Sequence, residues 1–161
     1  DHDMQRHGMW DVLMAGGQGY SAYFGFNFSF PCNDLHCDNL RDRDGMFLQM
    51  KFMRDFLDQA QLPLPDLTPL SSATYLSGYN GKARILGRTG QVYGIYLYDP
   101  GTISLNLSGV SGTYSVKWFN PKFGGSLQVG TVPQITGGGI RALGLPPFSG
   151  GKDRVILINR I

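Results

Sequence analysis

The pattern of apolar and polar residues over residues 91–125 constrains the fold more than any other feature of the sequence. In 103–107 and 114–118 apolar side chains occupy every second position, and in 92–98 two apolar series point in opposite directions. Residues that favour turns, chiefly Asp, Pro, Gly and Ser, separate these runs. Alternation of period two between turns is typical of antiparallel strands. The stretch therefore predicts three successive strands of an antiparallel sheet with one buried face.

The rest of the C-terminal half continues this pattern. Short runs that favour strands recur at intervals of roughly ten residues, at residues 73–76, 83–87, 126–129, 139–143 and 154–158. Short strands with turn signals at such intervals are typical of a small β-sandwich. We predict a complete antiparallel β-sandwich over residues 71–161.

The N-terminal third favours helices instead. Apolar residues recur at helical spacing over residues 46–61, which is the strongest helical pattern in the chain, and more weakly over residues 1–15. A short buried strand is predicted between them, over residues 20–24. After the second helix, three prolines predict an extended connection, because proline disrupts a helix interior; they are Pro63, Pro65 and Pro69.

These patterns predict an α+β protein with two parts. Residues 1–61 form an N-terminal α/β piece, residues 62–70 a proline-rich linker, and residues 71–161 the sandwich. The change from helical spacing to alternation at the linker is the basis for placing the boundary there.

Composition excludes several classes of function. The net charge is only +2 and the basic residues are scattered, so nucleic acid is not an expected partner. No apolar run approaches the ~18 residues that a membrane-spanning helix needs. All 12 acidic residues are Asp, so chemistry that needs a glutamate cannot be completed by this chain alone. The chain begins with Asp1 rather than Met, which we interpret as a processed product, a truncated chain or a piece of a larger protein.

The two cysteines allow two interpretations. Four residues separate Cys32 from Cys37, a spacing compatible with a small disulfide loop or with free thiols. The alternative is a metal site that these cysteines form with Asp34 and His36, but no second ligand pair at a zinc spacing accompanies them. We therefore favour a disulfide or free thiols, and we predict neither a metal site nor a cofactor. Because no nucleophile motif is present, no catalytic residue is predicted either.

Three motifs occur in an order that resembles a known family. A glycine-rich segment follows the first helix, an Asn-Pro turn follows a sandwich strand, and an Asp-Arg strand closes the chain. The matching residues are Gly16, Gly17, Gly19, Tyr23 and Gly25, then Trp118, Phe119, Asn120, Pro121 and Gly124, then Asp153, Arg154, Val155, Ile156 and Leu157. This order resembles the C-terminal part of secreted bacterial glycoside-hydrolase-like proteins of the apiosidase-like family. In that family a (β/α)8 barrel precedes a β-sandwich that is labelled a collagen-binding domain.

The resemblance implies roles for both parts of the chain. Residues 1–61 would be the last helix, strand and helix of the barrel, and the catalytic glutamates would precede Asp1 on the fourth and seventh barrel strands. Tyr23, Phe24 and Asn27 would contact a glycan substrate, because barrel active sites lie at the C-terminal ends of the strands. The protein would be secreted or periplasmic, and this chain would be inactive by itself.

An incomplete barrel also implies a partner, because it leaves strand edges unpaired and an apolar face uncovered. We expect residues 1–61 to pack against a missing N-terminal barrel polypeptide, another chain or a second copy of this chain, while the sandwich closes on itself. Two alternatives stay open. The chain is a non-catalytic module that binds carbohydrate or protein through Tyr96, Tyr98 or Trp118, although its alternation favours a core position for Trp118. Otherwise it is a structural subunit of an assembly.

Overall fold

The computed structural model describes residues 2–19, 44–99 and 101–161, and these residues form three layers. Two helices, α1 (His2–Met14) and α2 (Asp44–Ala60), pack on one face of a six-stranded antiparallel sheet. A three-stranded sheet packs on the other face. The helices therefore precede an antiparallel sandwich along the chain, which confirms the predicted α+β class. No helix within the described ranges is long and apolar enough to cross a membrane.

Helix α1 ends at a pair of glycines. The N–H of Gly17 donates to the carbonyl of Val12 at 2.9 Å, and the N–H of Gly16 donates to that of Leu13 at 3.0 Å. Gly16 has a φ of +83°, in the left-handed region that glycine adopts without strain. This pair of hydrogen bonds around a left-handed glycine is a common way to satisfy the last carbonyls of a helix. It confirms the predicted stop at Gly16.

Helix α2 follows its sequence pattern closely. The structure places it at Asp44–Ala60, within two residues of the predicted span at each end. Its buried face contains Met46, Gln49, Phe56 and Ala60. An ion pair between Lys51 and Asp55 at 2.5 Å lies on the opposite, solvent-facing side. The chain then forms a short 3₁₀ turn at Leu64–Asp66 before it enters the sheets.

Nine strands and one short helix make up the rest of the described chain. In chain order they are β1 (Thr68–Leu70), α3 (Ser72–Tyr75), β2 (Leu76–Ser77), β3 (Asn80–Arg88), β4 (Val92–Asp99), β5 (Ser104–Asn106), β6 (Thr113–Phe119), β7 (Gln134–Thr136), β8 (Ile140–Ala142) and β9 (Arg154–Arg160). The larger sheet has the order β1-β3-β4-β9-β6-β7, and the smaller sheet has the order β2-β5-β8. The central pair is antiparallel, with Ile95 of β4 opposite Ile156 of β9.

Two of the predicted strands are wrong. Residues 73–76 fall mostly in helix α3, because the chain turns there from the larger sheet into the smaller one; the N–H groups of Thr74 and Tyr75 both donate to the carbonyl of Ser71 at 3.0 Å. The run 126–129 is reduced to a single bridge between Gln128 and Trp118. Strand β7 pairs with β6 instead, and its short run carried no clear signal in the sequence.

The central strands β4 and β9 of the larger sheet are buried on both faces, so the prediction of one buried face is wrong for β4. Strand β6 alternates between buried and more exposed residues over most of its length, as predicted. Between the two sheets lies the inter-sheet core, which includes Ile95, Trp118 and Ile156. On the opposite face lies the helix–sheet core, where Trp10 and Phe56 pack against strand residues such as Tyr96, Phe119 and Val155. Successive residues of β4 alternate between these two cores, which explains why both of its series are apolar.

The predicted linker is partly ordered into the sandwich. Residues 68–70 form β1, which pairs with β3 so that Pro69 lies opposite Leu86. The apolar face of the two helices also lies against this sheet rather than facing outward. The division at residues 62–70 stays a prediction, since the helices and the sheet share one core.

Candidate functional site

A buried ion pair joins helix α1 to the last strand. Arg6 donates from Nε to Asp153 Oδ2 at 2.6 Å and from Nη2 to Asp153 Oδ1 at 3.1 Å. The side chains are only 3% and 0% exposed. A guanidinium and a carboxylate that share two parallel hydrogen bonds form one of the stronger polar contacts in proteins. The pair therefore fixes how α1 is rotated about its axis and where it lies on the sheet.

Two aromatic side chains of β4 extend this contact. Tyr96 donates its hydroxyl proton to Asp153 Oδ2 at 2.9 Å, and its oxygen lies 2.6 Å from His7 Nδ1. Since Tyr96 has a single hydroxyl proton, His7 Nδ1 carries its own proton and donates it to the Tyr96 oxygen. The His7 ring stacks on Tyr98 with centroids 4.5 Å apart, and Tyr98 in turn donates to Asp11.

The outer edge of the contact is charged. Asp3 accepts from Arg6 Nη1 at 2.7 Å and from Lys122 Nζ at 3.4 Å. The hydrogen bond from Arg6 lowers the pKa of Asp3 below its usual value. We call the set Asp3, Arg6, His7, Tyr96, Lys122 and Asp153 the junction cluster. All of its members except Tyr96 line a cleft of about 380 Å³, together with Tyr98, Gly151 and Lys152.

The chemistry of the junction cluster is that of a fixed contact rather than a reaction centre. Both carboxylates accept hydrogen bonds from Arg6, so these oxygens are already engaged within the protein. Burial raises the pKa of the Tyr96 hydroxyl, which therefore remains a hydrogen-bond donor. The arrangement is suited to holding α1 on the sandwich.

We expect the junction cluster to make stability depend on pH in the weakly acidic range, through His7. Burial lowers the pKa of His7 below its ordinary value of 6.5. As pH falls below this value the unfolded chain takes up the proton before the folded protein does, so the free energy of unfolding decreases. We expect urea denaturation at about pH 7.5 and about pH 5.5 to show this loss, and the variant His7→Gln to show a smaller one. Equal losses in the two proteins would contradict this role of His7.

The Asn-Pro turn identified in the sequence holds helix α2. Within this turn, residues 118–124, Asn120 Oδ1 accepts the N–H of Lys122 at 3.0 Å and the N–H of Phe123 at 3.1 Å. The N–H of Gly124 donates to the carbonyl of Asn120 at 2.9 Å. Gln49 of α2 then donates to the Lys122 carbonyl at 3.2 Å. The turn is therefore shaped by its own asparagine and presents its backbone to the helix.

A second glutamine of α2 binds the chain just beyond the turn. Gln59 Nε2 donates to the Gly125 carbonyl at 3.0 Å, and Gln59 Oε1 accepts the N–H of Leu127 at 2.8 Å. Both ends of the amide are used, so its orientation follows from its partners. The turn and the segment after it thus contact α2 at two points along the helix.

Glycine is required at position 124 for two reasons, the backbone conformation and a neighbouring side chain. Its φ is +68°, and a Cβ at this position would lie 2.3 Å from a ring carbon of Phe52. We expect Gly124→Ala to lower the free energy of unfolding by about 2–4 kcal/mol, from backbone strain together with the clash. Gly125→Ala is the matched control, since Gly125 also has a positive φ of +104° but no atom within 4 Å of its Cβ position. Equal losses in urea denaturation would show that the Phe52 contact is unimportant.

The substrate contacts predicted from the sequence lie outside the described residues. They are Tyr23, Phe24 and Asn27, and the same holds for the cysteine loop of Cys32, Asp34, His36 and Cys37. Within residues 2–19, 44–99 and 101–161, no group of three metal-binding side chains lies close together.

The aromatic residues considered for a binding module are mostly internal. Trp118 is 1% exposed and Tyr96 is 0% exposed, which confirms the core position favoured for Trp118; Tyr98 is half-buried and contacts His7. Sequence reasoning missed the ion pair of Arg6 with Asp153. A signal was present, because Arg6 lies three, four and seven residues before Met9, Trp10 and Leu13, on the apolar face of α1.

Two solved structures are similar in fold to almost the whole chain. One is a glycoside hydrolase family 5 protein from Bacteroides vulgatus, with a TM-score of 0.70 and 18% identity over 99% of this chain. The other is a protein described as a glycoside hydrolase, with a TM-score of 0.72 and 17% identity over 99% of this chain. This chain spans only 36% and 37% of their lengths. No curated protein sequence matches it.

The family of the sandwich follows from its sequence. Residues 69–159 match the family described as "Putative collagen-binding domain of a collagenase". The matched region runs from β1 to β9 and includes both the Asn-Pro turn and Asp153. Because the match covers more than half of the 161 residues, the chain belongs to this collagen-binding-type domain family.

Proposed function

We propose that this chain is the C-terminal portion of a glycoside hydrolase that acts on a polysaccharide or another glycan. In this proposal α1 and α2 belong to the wall of a (β/α)8 barrel, and the sandwich is an accessory domain fixed to that wall. The observation that carries the proposal is the extent of the fold similarity. It runs over 99% of the chain, helices and sandwich together, while covering about a third of two glycoside hydrolases.

The division of roles follows from the residues present. The chain has no glutamate, so the catalytic carboxylates would belong to polypeptide outside it. Tyr23, Phe24 and Asn27 are proposed to contact the glycan at the barrel mouth. The junction cluster and the Asn-Pro turn would keep the sandwich in one orientation relative to the barrel, since both contacts join a helix to the sheet. We propose a secreted or periplasmic location, in keeping with a glycan substrate.

Exposed apolar side chains on the two helices support the proposal that another polypeptide covers them. Met4 of α1 is 73% exposed and Leu48 of α2 is 47% exposed, although the opposite face of each helix is buried against the sheet. Apolar residues on the outer side of helices are typical of a surface that another element covers. We propose that the missing barrel polypeptide covers them, and that a second copy of this chain does so in its absence.

The test compares this chain with the longer polypeptide that contains it. Both are incubated with a panel of plant, bacterial and host polysaccharides, and release of reducing sugar is measured. We expect hydrolysis by the longer polypeptide, none by the 161-residue chain, and none by a longer variant in which the barrel glutamates are replaced by glutamine. Hydrolysis by the 161-residue chain alone would refute the proposal. The proposal would also be refuted if the longer polypeptide contained no sequence typical of a (β/α)8 barrel.

A binding role for the sandwich is the second candidate, favoured by the description of its family. In this case the 161-residue chain itself would be retained on immobilised collagen or on an insoluble polysaccharide. Retention on collagen and not on polysaccharide would favour a protein-binding module over the hydrolase. Light scattering after size exclusion tests the structural-subunit alternative, which requires defined oligomers or polymers of the chain.

A further inference from the structure

Arg154 is a buried cation that has no carboxylate partner among the residues that the structure describes. Its side chain is 5% exposed, and its Nη1 donates to the backbone carbonyls of Gly151 at 2.9 Å and Asp153 at 2.7 Å. Within the described part of the chain it forms no ion pair, and its buried Nε has no hydrogen-bond partner. The carboxylate of Asp153 faces the helices, where Arg6 of α1 donates to it.

Arg154 lines an open cavity beside the inter-sheet core. It borders a cavity of about 240 Å³ whose walls are mainly apolar, with Leu97, Trp118, Leu145 and Pro146 among them. The ring of Phe148 lies 5.2 Å from Arg154 Cζ and covers one face of the guanidinium. The cation is therefore held in place at the wall of a cavity that is open to solvent on one side.

This combination favours an anionic ligand of a particular kind. A buried charge is normally paired, because the loss of hydration is otherwise uncompensated. The planar guanidinium matches a carboxylate better than any other common anion except phosphate. The apolar walls suit the C–H face of a sugar ring, and the volume suits a single ring rather than a long chain.

We propose that this cavity is a carboxylate-binding subsite of the sandwich, in which Arg154 binds the carboxylate of a uronic acid unit. The proposal rests on the proposed function, since a sugar carboxylate is the relevant source of this group in a glycan-degrading protein. The subsite would hold an acidic polysaccharide near the barrel, separately from the residues that cleave it. A peptide carboxylate offers the same charge, and the test separates the two sources.

The test is a titration of the ¹⁵N-labelled 161-residue chain followed by NMR. The probes are galacturonic acid, galactose and N-acetylaspartate. We expect galacturonic acid to shift the indole signal of Trp118 and the Nε signal of Arg154 with a dissociation constant of about 1 mM. Galactose should bind about tenfold or more weakly, because it lacks the charge. N-acetylaspartate should also bind about tenfold or more weakly, because it lacks the ring face.

Substitutions at Leu145 provide matched variants. Leu145 borders the same cavity but is 52% exposed, so substitutions there are compatible with folding. We expect Leu145→Asp to abolish binding of galacturonic acid by giving Arg154 a carboxylate within the chain, and Leu145→Asn to retain it. Arg154→Lys should weaken binding about tenfold, because the ammonium lacks the planar guanidinium that the two backbone carbonyls hold in place.

Three results would contradict the proposal of a carboxylate-binding subsite. They are equal binding of galactose, stronger binding of N-acetylaspartate, and identical behaviour of the two Leu145 variants. These outcomes are distinct from failure of the proposed function. A longer polypeptide that hydrolyses glycans while the cavity binds no uronic acid would refute the subsite alone. Binding at the cavity with no hydrolysis would refute the hydrolase alone.

Discussion

Replacing Asp153 with asparagine is expected to lower the free energy of unfolding by about 3–5 kcal/mol, because it removes the buried counter-charge of the Arg6 guanidinium and leaves only the half-exposed Asp3 to pair with it. Asp153 is fully buried and accepts hydrogen bonds from both Arg6 and Tyr96. An asparagine of the same shape offers one acceptor oxygen and places an N–H group against these donors. Urea denaturation followed by far-UV circular dichroism measures the loss.

A surface ion pair of α2 gives the control for this result. Arg54 and Asp58 lie 3.8 Å apart and are 83% and 72% exposed. Asp58→Asn should therefore change stability by no more than about 0.5 kcal/mol. Combining Arg6→Met with Asp153→Asn should be less destabilising than the sum of the single changes by about 0.5–3 kcal/mol. Additive losses would mean that the two side chains do not act as a pair.

Trp10→Ala is the second change with a large expected effect, a loss of about 3–5 kcal/mol. Trp10 is fully buried in the helix–sheet core, where it stacks on Tyr96 with centroids 5.4 Å apart and meets the ring of Phe56 at 5.3 Å. Removing the indole leaves a cavity between α1 and the sheet that the rigid strands cannot fill. Met4→Ala is the control, because Met4 lies on the same helix but is 73% exposed.

The same variant tests whether the helices and the sandwich unfold together. Trp118, the other tryptophan, lies in the inter-sheet core on the opposite face of the larger sheet. In Trp10→Ala its fluorescence therefore reports on the sandwich alone. We expect its unfolding midpoint to fall together with the loss of helical circular dichroism. An unchanged midpoint for Trp118 would show that the helices form an independent unit.

The elements with strong local patterns could be predicted from the sequence. Helix α2 has a regular apolar stripe, and its bounds of Asp44–Ala60 were predicted within two residues. The alternation of β4, β6 and β9 likewise gave three central strands of the sheet. The 73–76 run was misassigned because its local composition favours a strand, while its position between two sheets requires a turn of helix.

The contacts that define the candidate site could not be derived in the same way. Arg6 and Asp153 are 147 positions apart, and no local pattern specifies such a pair. Burial of both faces of β4 was also missed, although Val92, Tyr96 and Tyr98 form a second apolar series beside Tyr93 and Ile95. A strand that is apolar on both sides indicates two covering layers, and the helices that supply the second layer lie on the far side of the proline-rich segment.

The burial of β4 and β9 on both faces limits how this sandwich can be reused. Cut at residue 71, it would lose edge strand β1 and turn Tyr96, Phe119 and Val155 toward water. A gene fusion that grafts the sandwich onto a foreign enzyme would have to bring both helices with it. Recombination between relatives should therefore exchange helices and sandwich as one inherited block, with crossover points upstream of α1 rather than in the proline-rich segment.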